Sequence, residues 1–155
     1  MQWTALLSAL TGAVIATGST AFLDRVRWRR DKRERTDEVR RQLYGEYLAC
    51  LSEARNAFRS LARNHDLAPG AKATAARDAF AACYALRYQM SITASSAVFD
   101  ASKDTFRKLR DVRDTTAQGA GADDQAYAAG RTQYENSLHA LRRAMRKDLG
   151  ISMTA

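Results

Sequence analysis

The stretch WTALLSALTGAVIATGSTAFL, from Trp3 to Leu23, contains no charged residue in 21 positions. A helix of that length rises about 30 Å, which matches the hydrocarbon thickness of a bilayer. A dense basic group follows at once, formed by Arg25, Arg27, Arg29, Arg30, Lys32 and Arg33. Because Lys and Arg are retained on the cytosolic side, we predict one transmembrane helix over residues 1–23, with the N-terminus outside and the rest of the chain cytosolic.

An aromatic residue marks each boundary of this predicted anchor. Indole rings prefer the headgroup level, and Trp3 and Trp28 are the two tryptophans of the chain. The residues expected to contact the membrane are Trp3, Leu6, Leu10, Val14, Ile15, Phe22 and Trp28. Two other interpretations remain open. A cleavable signal peptide lacks its basic leader here, although Ser19-Thr20-Ala21 resembles a cleavage site. A buried helix of a soluble protein would accommodate the Ser and Thr residues.

Small residues recur every four positions within the anchor. Such rows let helix backbones approach closely in lipid, so they predict self-association and a homo-oligomer. The row expected at the contact is Ser8, Gly12 and Ala16. The alternative, that small residues are simply frequent in this segment, stays open.

Residues 24–42 are predicted to form a solvated helical stalk. Positions 24 to 41 contain nine basic and five acidic residues. Their difference, +4, is half of the net charge of +8. Opposite charges recur four residues apart, as in Arg27 with Asp31 and Arg30 with Glu34, and such pairs stabilise a helix. The position of the charge beside an apolar run predicts anionic phospholipid as the partner of Arg25, Arg27, Arg29, Arg30, Lys32 and Arg33, and not nucleic acid.

Residues 43–155 are predicted to form a helical bundle. Ala and Leu dominate the apolar residues, Pro occurs once and no alternating strand pattern is present. Apolar residues spaced three and four apart define four amphipathic helices, which short connections would fold into an antiparallel up-down bundle. The predicted core comprises Leu43, Tyr44, Tyr47, Leu48, Leu51, Ala54, Phe58 and Leu61, then Ala76, Ala79, Phe80, Cys83, Leu86 and Met90, then Val98, Ala101, Thr105, Phe106, Leu109 and Val112, and finally Tyr127, Tyr134, Leu138, Leu141, Met145 and Leu149.

Turn and cap residues place the ends of these helices. Residues 64–70 should end the first helix, with Pro69 and Gly70 as its breakers. Ser95 or Ser96 should cap the third helix, and Asp123 or Asp124 the fourth, after a loop at residues 118–122. Gly150 should stop the fourth helix.

No pattern of catalytic or metal-binding residues is present. The histidines, His65 and His139, are isolated, and no phosphate-binding glycine loop or nucleophile motif occurs. We therefore expect no enzyme, no catalytic residue, no metal and no cofactor. Cys50 and Cys83 lie at similar distances on either side of the turn near Pro69, so they can approach across an antiparallel hairpin. They are either buried thiols or a redox pair.

The overall plan resembles that of small membrane-anchored helical proteins common in high-GC bacteria. The resemblance covers an N-terminal membrane helix, the run Arg25-Val26-Arg27-Trp28-Arg29-Arg30, a Tyr-containing first bundle helix and the ending Arg-Lys-Asp-Leu-Gly-Ile at residues 146–151. It implies this architecture and supplies no activity or site residue.

The sequence therefore favours a membrane-tethered interaction module, an adaptor or scaffold that docks an unidentified protein at the inner face of the cytoplasmic membrane. Two alternatives belong to other classes. One is a phage-type membrane-active protein, holin- or spanin-like, in which the anchor is the effector. The other is a soluble nucleic-acid-binding protein that uses the basic residues between Arg25 and Arg41.

Overall fold

The computed structural model describes residues 3–151, except for the side chains of residues 3–24, 26, 29 and 69. Four helices follow one another: α1 (Trp3–Arg63), α2 (Pro69–Thr93), α3 (Ser96–Ala117) and α4 (Gln125–Asp148). No strand occurs in the described range, so the all-α class is confirmed. The chain divides into two compact units, Met1–Val39 and Arg40–Ala155, and the second contains the bundle.

Contacts between helices of the second unit establish the antiparallel bundle. In each pair of neighbouring helices, the residue numbers of the contacts rise on one helix as they fall on the other. The contacts are Arg40–Thr93 and Cys50–Cys83 for α1 with α2, Arg87–Phe106 and Tyr84–Arg113 for α2 with α3, Thr105–Ser137 and Lys108–Gln133 for α3 with α4, and Tyr44–Asp148 and Leu51–Tyr134 for α1 with α4. Each helix therefore runs opposite to both of its neighbours, which is the up-down arrangement predicted from the sequence.

The predicted apolar stripes form the core of this bundle. Most of their members are buried, and six pack partly buried against the others: Leu48, Leu61, Ala79, Leu86, Ala101 and Leu149. Burial of such side chains is the main favourable contribution to folding, at about 25 cal/mol per Å² of apolar surface. The three-and-four spacing thus identified the core face of every helix.

Small polar residues in the core were not identified by that spacing. Ser102, Thr116 and Ser137 are buried. Their hydroxyl groups donate to carbonyl oxygens three or four residues earlier in the same helix, at 2.7, 2.9 and 2.8 Å. A hydroxyl satisfied in this way needs no water, which explains how a polar residue can occupy a buried position.

Glycines end α3 and α4 through the same motif. Gly119 and Gly150 have φ of 98° and 67°, a left-handed conformation that glycine adopts without steric penalty. After each helix, two backbone N–H groups reach back: those of Gly119 and Ala120 to α3, and those of Gly150 and Ile151 to α4. These bonds form Schellman motifs, so the predicted stop at Gly150 is confirmed.

The start of α2 corrects one prediction. Pro69 was expected to break the chain between helices, but α2 begins at Pro69 itself. Proline suits the first helical position because its missing N–H would have no partner there and its φ is already helical. The break therefore falls at residues 64–68.

The predicted caps occupy the correct positions but bond elsewhere. Ser95 and Asp124 are the N-cap residues of α3 and α4, yet neither side chain bonds to its own helix. The Asp124 carboxylate accepts a hydrogen bond from the backbone N–H of Gly121 at 2.6 Å. Tertiary and loop contacts thus replace the expected local caps.

The predicted anchor lies outside the described side chains. Within the part of the chain that the structure describes, no helix is long and apolar enough to cross a membrane. The side chains of Trp3, Leu6, Leu10, Val14, Ile15 and Phe22, and those of the row Ser8, Gly12 and Ala16, are not among those described.

The core assignment can be checked at Leu141, which is fully buried on α4. Replacing Leu141 by Ala should lower the unfolding free energy by about 2–5 kcal/mol, because the cavity loses packing as well as hydrophobic transfer energy. Denaturant unfolding of the detergent-solubilised chain measures the change. The adjacent exposed residue gives the control, since Arg142→Ala should stay within about 0.5 kcal/mol of the parent. Equal effects of the two substitutions would contradict the assignment.

Candidate functional site

The basic segment, defined as residues 25–35 of α1, is the strongest sequence-predicted site that the structure describes. Its described side chains are exposed, including Arg25, Arg27, Arg30, Lys32 and Arg33. The side chain of Arg29 lies outside those described. Exposure on a helix leaves these cationic groups accessible to an anionic surface, so the geometry suits the predicted role.

An exposed aromatic ring lies within the basic segment. The side chain of Trp28 is 62% exposed, and the Nζ of Lys32 lies 5.3 Å from the centre of its ring. A cation over an exposed indole contributes about 0.5–1 kcal/mol. The pair presents an apolar ring and a positive charge one turn apart, a combination that is typical of segments at the membrane–water interface.

Acidic partners neutralise only part of the basic segment. Arg30 Nε lies 3.0 Å from Glu34 Oε1, as predicted, and this exposed pair contributes about 0.3–0.5 kcal/mol. The predicted pair of Arg27 with Asp31 is not formed among the described side chains. Arg25 and Arg33 likewise form no ion pair there. Their charges therefore stay directed at solvent or at an external anion.

A polar cluster closes one end of the bundle, where α1, α2 and α4 meet. The Tyr44 hydroxyl donates to Asp148 Oδ2 at 2.7 Å, and Arg40 Nη1 lies 3.7 Å from the same oxygen. Arg40 Nε also donates to the carbonyl oxygen of Thr93 at 3.0 Å. These contacts connect α1 with the C-terminal ends of α2 and α4.

The cluster shifts the pKa values of its members in opposite directions. Burial disfavours ionisation of Asp148, but hydrogen bonds with Ser95 and Tyr44 and the charge of Arg40 outweigh it, so the pKa of Asp148 lies below its ordinary value of 3.8. Burial and the hydrogen bond to Asp148 raise the pKa of Tyr44. At neutral pH the carboxylate is therefore charged and the phenol is a donor. Since all its members have partners within the cluster, it stabilises the bundle and leaves no group poised for chemistry.

The two cysteines meet in the bundle core. Both are buried, and the sulfur atoms of Cys50 on α1 and Cys83 on α2 lie 2.8 Å apart. The predicted approach across the α1–α2 hairpin is thus confirmed. Among the described residues, no three His, Cys, Asp or Glu side chains come together to hold a metal ion.

An exposed apolar face on α2 was missed by the sequence reasoning. The α2 face, defined as Ala81, Tyr84, Ala85, Tyr88 and Ile92, lies on one side of the helix at three-and-four spacing and is exposed. Tyr88 is 67% exposed and Ile92 is 86% exposed. Only the opposite, core-facing stripe had been assigned. The signal that could have revealed it is composition, because Arg87 is the single charged residue between Ala79 and Thr93.

A groove between α2 and α3 is lined mainly by charges that pair with one another. Its volume is about 340 Å³. Lys103 lies 2.9 Å from Asp100, and Arg107 lies 2.6 Å from Asp104. At its floor the Arg87 guanidinium lies 4.8 Å from the centre of the Phe106 ring. The two carboxylates each pair with one cation, and Arg87 and Arg110 leave the lining with a net charge of +2.

No family model, no curated protein and no solved structure gives a significant match to this chain.

The contribution of Asp148 should depend on pH. The pKa of Asp148 is lower in the folded chain than in the unfolded chain, so its stabilisation is present above about pH 4 and is lost as the pH falls through the folded value. Asp148→Asn should lower the unfolding free energy at pH 7 by about 1–2 kcal/mol, and the difference from the parent should shrink below pH 4. Denaturant unfolding between pH 2.5 and 7, a range chosen to bracket about 4, measures both.

Asp123 provides the matched control, because it is exposed in the loop before α4. Asp123→Asn removes the same charge and should leave stability unchanged across that pH range. A parallel pH dependence of the two variants would show that the carboxylate of Asp148 is not the stabilising group.

Proposed function

We propose that this protein is a single-pass, membrane-tethered interaction module. Residues 3–23 cross the cytoplasmic membrane with the N-terminus outside, the basic segment meets anionic headgroups, and the bundle is held in the cytosol as an adaptor or scaffold. The observation that carries the proposal is the direct succession of 21 uncharged residues and an exposed basic segment. Binding to DNA would explain the basic segment but not the 21 uncharged residues before it.

The energetics of the basic segment support its attachment to lipid. A Lys or Arg near an anionic leaflet contributes about 1 kcal/mol, and the effect decays over a Debye length of about 8 Å. Arg25 and Arg27 are the described cations nearest to the anchor, and neither is neutralised by an acid among the described side chains. Trp28 adds an exposed ring at the same level of the chain. The segment therefore combines the two interactions that fix a helix at an interface.

The α2 face supports the second part of the proposal, a contact with another protein. Exposed apolar side chains that line up on one helix are typical of an interaction surface. We propose a second copy of this chain as the occupant. Each copy carries a net charge of +8, half of it between residues 24 and 41, so like charge opposes association through the charged parts of the surface. The α2 face carries no charge and has small residues, Ala81 and Ala85, between its larger ones.

Symmetry favours the same arrangement. A two-fold dimer uses the same patch on both copies, and an uncharged helix face is complementary to itself. Tethering to one membrane in one orientation also raises the effective concentration of the bundles relative to one another. A weak contact through Tyr84, Tyr88 and Ile92 is then sufficient to hold a dimer at the membrane.

The topology is tested with the full chain in membrane vesicles. The protein should resist extraction by alkaline carbonate, and protease should digest the bundle only in inside-out vesicles. Replacing Arg25, Arg27, Lys32 and Arg33 together by Gln removes four of the six basic residues between Arg25 and Arg33 and weakens the retention signal, so the digested fraction in inside-out vesicles should fall below that of the parent chain.

The control removes four charges from the bundle. Arg55, Arg59, Arg63 and Arg77 replaced by Gln gives the same net charge, and the orientation should be unchanged. Extraction of the parent chain by carbonate, or complete digestion in right-side-out vesicles, would overturn the proposed topology. The second result would instead favour the spanin-like arrangement, with the bundle outside the cytosol.

The dimer is tested by its mass in detergent solution. The parent chain should sediment as a dimer, and Tyr88→Glu with Ile92→Glu should convert it to a monomer, because two carboxylates per copy would face each other across the contact. Arg110→Glu with Lys103→Glu is the control, since it changes the charge on exposed α3 positions and should leave the dimer intact. A dimer that survives the α2 substitutions and dissociates on Gly12→Leu would assign self-association to the anchor row.

A further inference from the structure

Cys50 and Cys83 face each other across the α1–α2 contact, and the chain has no third cysteine with which either could pair. They are the two cysteines of the chain, and their sulfur atoms lie 2.8 Å apart. A disulfide bond is about 2.05 Å long, so closing it requires a movement of less than about 1 Å. The helices on either side are packed into one core, which holds the two thiols at this separation.

The surroundings of the pair are compatible with a covalent bond. Cys50 is 7% exposed and Cys83 is fully buried. The Tyr47 and Tyr134 side chains lie in the same part of the core, and their hydroxyl groups already donate to the carbonyl oxygens of Ser102 and Leu51. These two hydroxyl groups therefore do not depend on the thiols for a hydrogen bond, and removal of the two thiol hydrogens leaves both of them satisfied.

We propose that Cys50 and Cys83 form an intramolecular disulfide that joins α1 to α2 when the chain meets a low-molecular-weight disulfide as oxidant. The bundle accommodates both the dithiol and the disulfide with the same helix packing. The inference is independent of the membrane topology and of the α2 contact, because it rests only on residues of the bundle core.

The reaction is a pair of thiol–disulfide exchanges. The thiolate of one cysteine attacks a sulfur of the small disulfide, forms a mixed disulfide and releases one small thiol. The second cysteine then attacks the protein sulfur of that mixed disulfide and releases the other small thiol. Two protein thiols are oxidised to one disulfide, the small disulfide is reduced to two thiols, and the two protons lost by the protein pass to the leaving groups.

Burial makes this reaction slow and its product durable. Burial, together with the hydrogen bond to Cys50, raises the pKa of the Cys83 thiol, so almost none of it is thiolate at neutral pH. Cys50 lies nearer to the surface and is the sulfur that the oxidant should meet first, when the helices open locally. The same packing afterwards shields the disulfide from reduction.

The bond would restrict the unfolded chain more than the folded one. It closes a loop that contains residues 50–63 at the end of α1, the turn at residues 64–68 and residues 69–83 of α2. Cross-linking a loop of roughly 30 residues lowers the entropy of the unfolded ensemble, and the corresponding rise in Tm for a domain of this size is about 10 °C. In a reducing cytosol the pair stays as thiols.

The test uses the full chain in detergent, incubated with oxidised glutathione. Thiol titration should fall from two per chain to none, the intact mass should decrease by two hydrogen atoms, and the chain should remain a single polypeptide on a non-reducing gel. Tm should rise by about 10 °C and return to its starting value after treatment with dithiothreitol.

Single substitutions separate this cross-link from other effects of the oxidant. Cys50→Ala and Cys83→Ala each leave one thiol, so neither variant should lose two hydrogen atoms or gain in Tm. The parent chain remains informative even if a variant folds poorly, because its mass and thiol count are measured directly. Retention of both thiols after prolonged incubation, loss of thiols only through cross-linked dimers or glutathione adducts, or a fall in Tm on oxidation would each overturn the proposal.

Discussion

One turn of α1 holds the bundle together, because it contacts all three other helices. The Tyr47 hydroxyl donates to the Ser102 carbonyl oxygen on α3, the Leu51 carbonyl oxygen accepts from Tyr134 on α4, and Cys50 touches Cys83 on α2. Tyr47 and Tyr134 are fully buried. Each phenol thus brings a large apolar ring into the core and satisfies its polar end on a backbone carbonyl, as a buried tyrosine must. The orientation of α2, α3 and α4 around α1 follows from these contacts.

The charged residues of the chain are concentrated in the basic segment and are scarce on α2. The basic segment carries exposed cations beside the uncharged run of residues 3–23, whereas α2 has a single charge between Ala79 and Thr93. α2 is apolar on two sides, and it buries one of them in the core and leaves the other exposed. The proposed anchor and the proposed dimer contact therefore use different parts of the chain and different kinds of interaction. Lipid attachment depends on electrostatics and apolar burial in the bilayer, and the α2 contact depends on apolar burial without charge repulsion.

Local signals located the ends of helices more reliably than they identified bonding partners. Ser95 and Asp124 stand at the N-cap positions of α3 and α4, but Ser95 bonds with Asp148, and Asp124 with Gly121. A cap bond contributes about 1 kcal/mol, so a partner that also satisfies a buried carboxylate or a tight loop can displace it. Pro69 shows the complementary case, because the same residue type that breaks a helix interior is well suited to the first position of α2.

The sequence by itself determined the helical class, the four core stripes and the stop at Gly150, because these depend on the 3.6-residue period and on glycine conformation. It left open whether Cys50 and Cys83 interact. It could not reveal the buried hydroxyls of Ser102 and Ser137, the carboxylate cluster around Asp148 or the exposure of the α2 face. Those features depend on which residues far apart in the chain come into contact, and periodicity within one helix contains no such information. The tertiary structure alone decided which apolar side of α2 faces inward and which remains exposed.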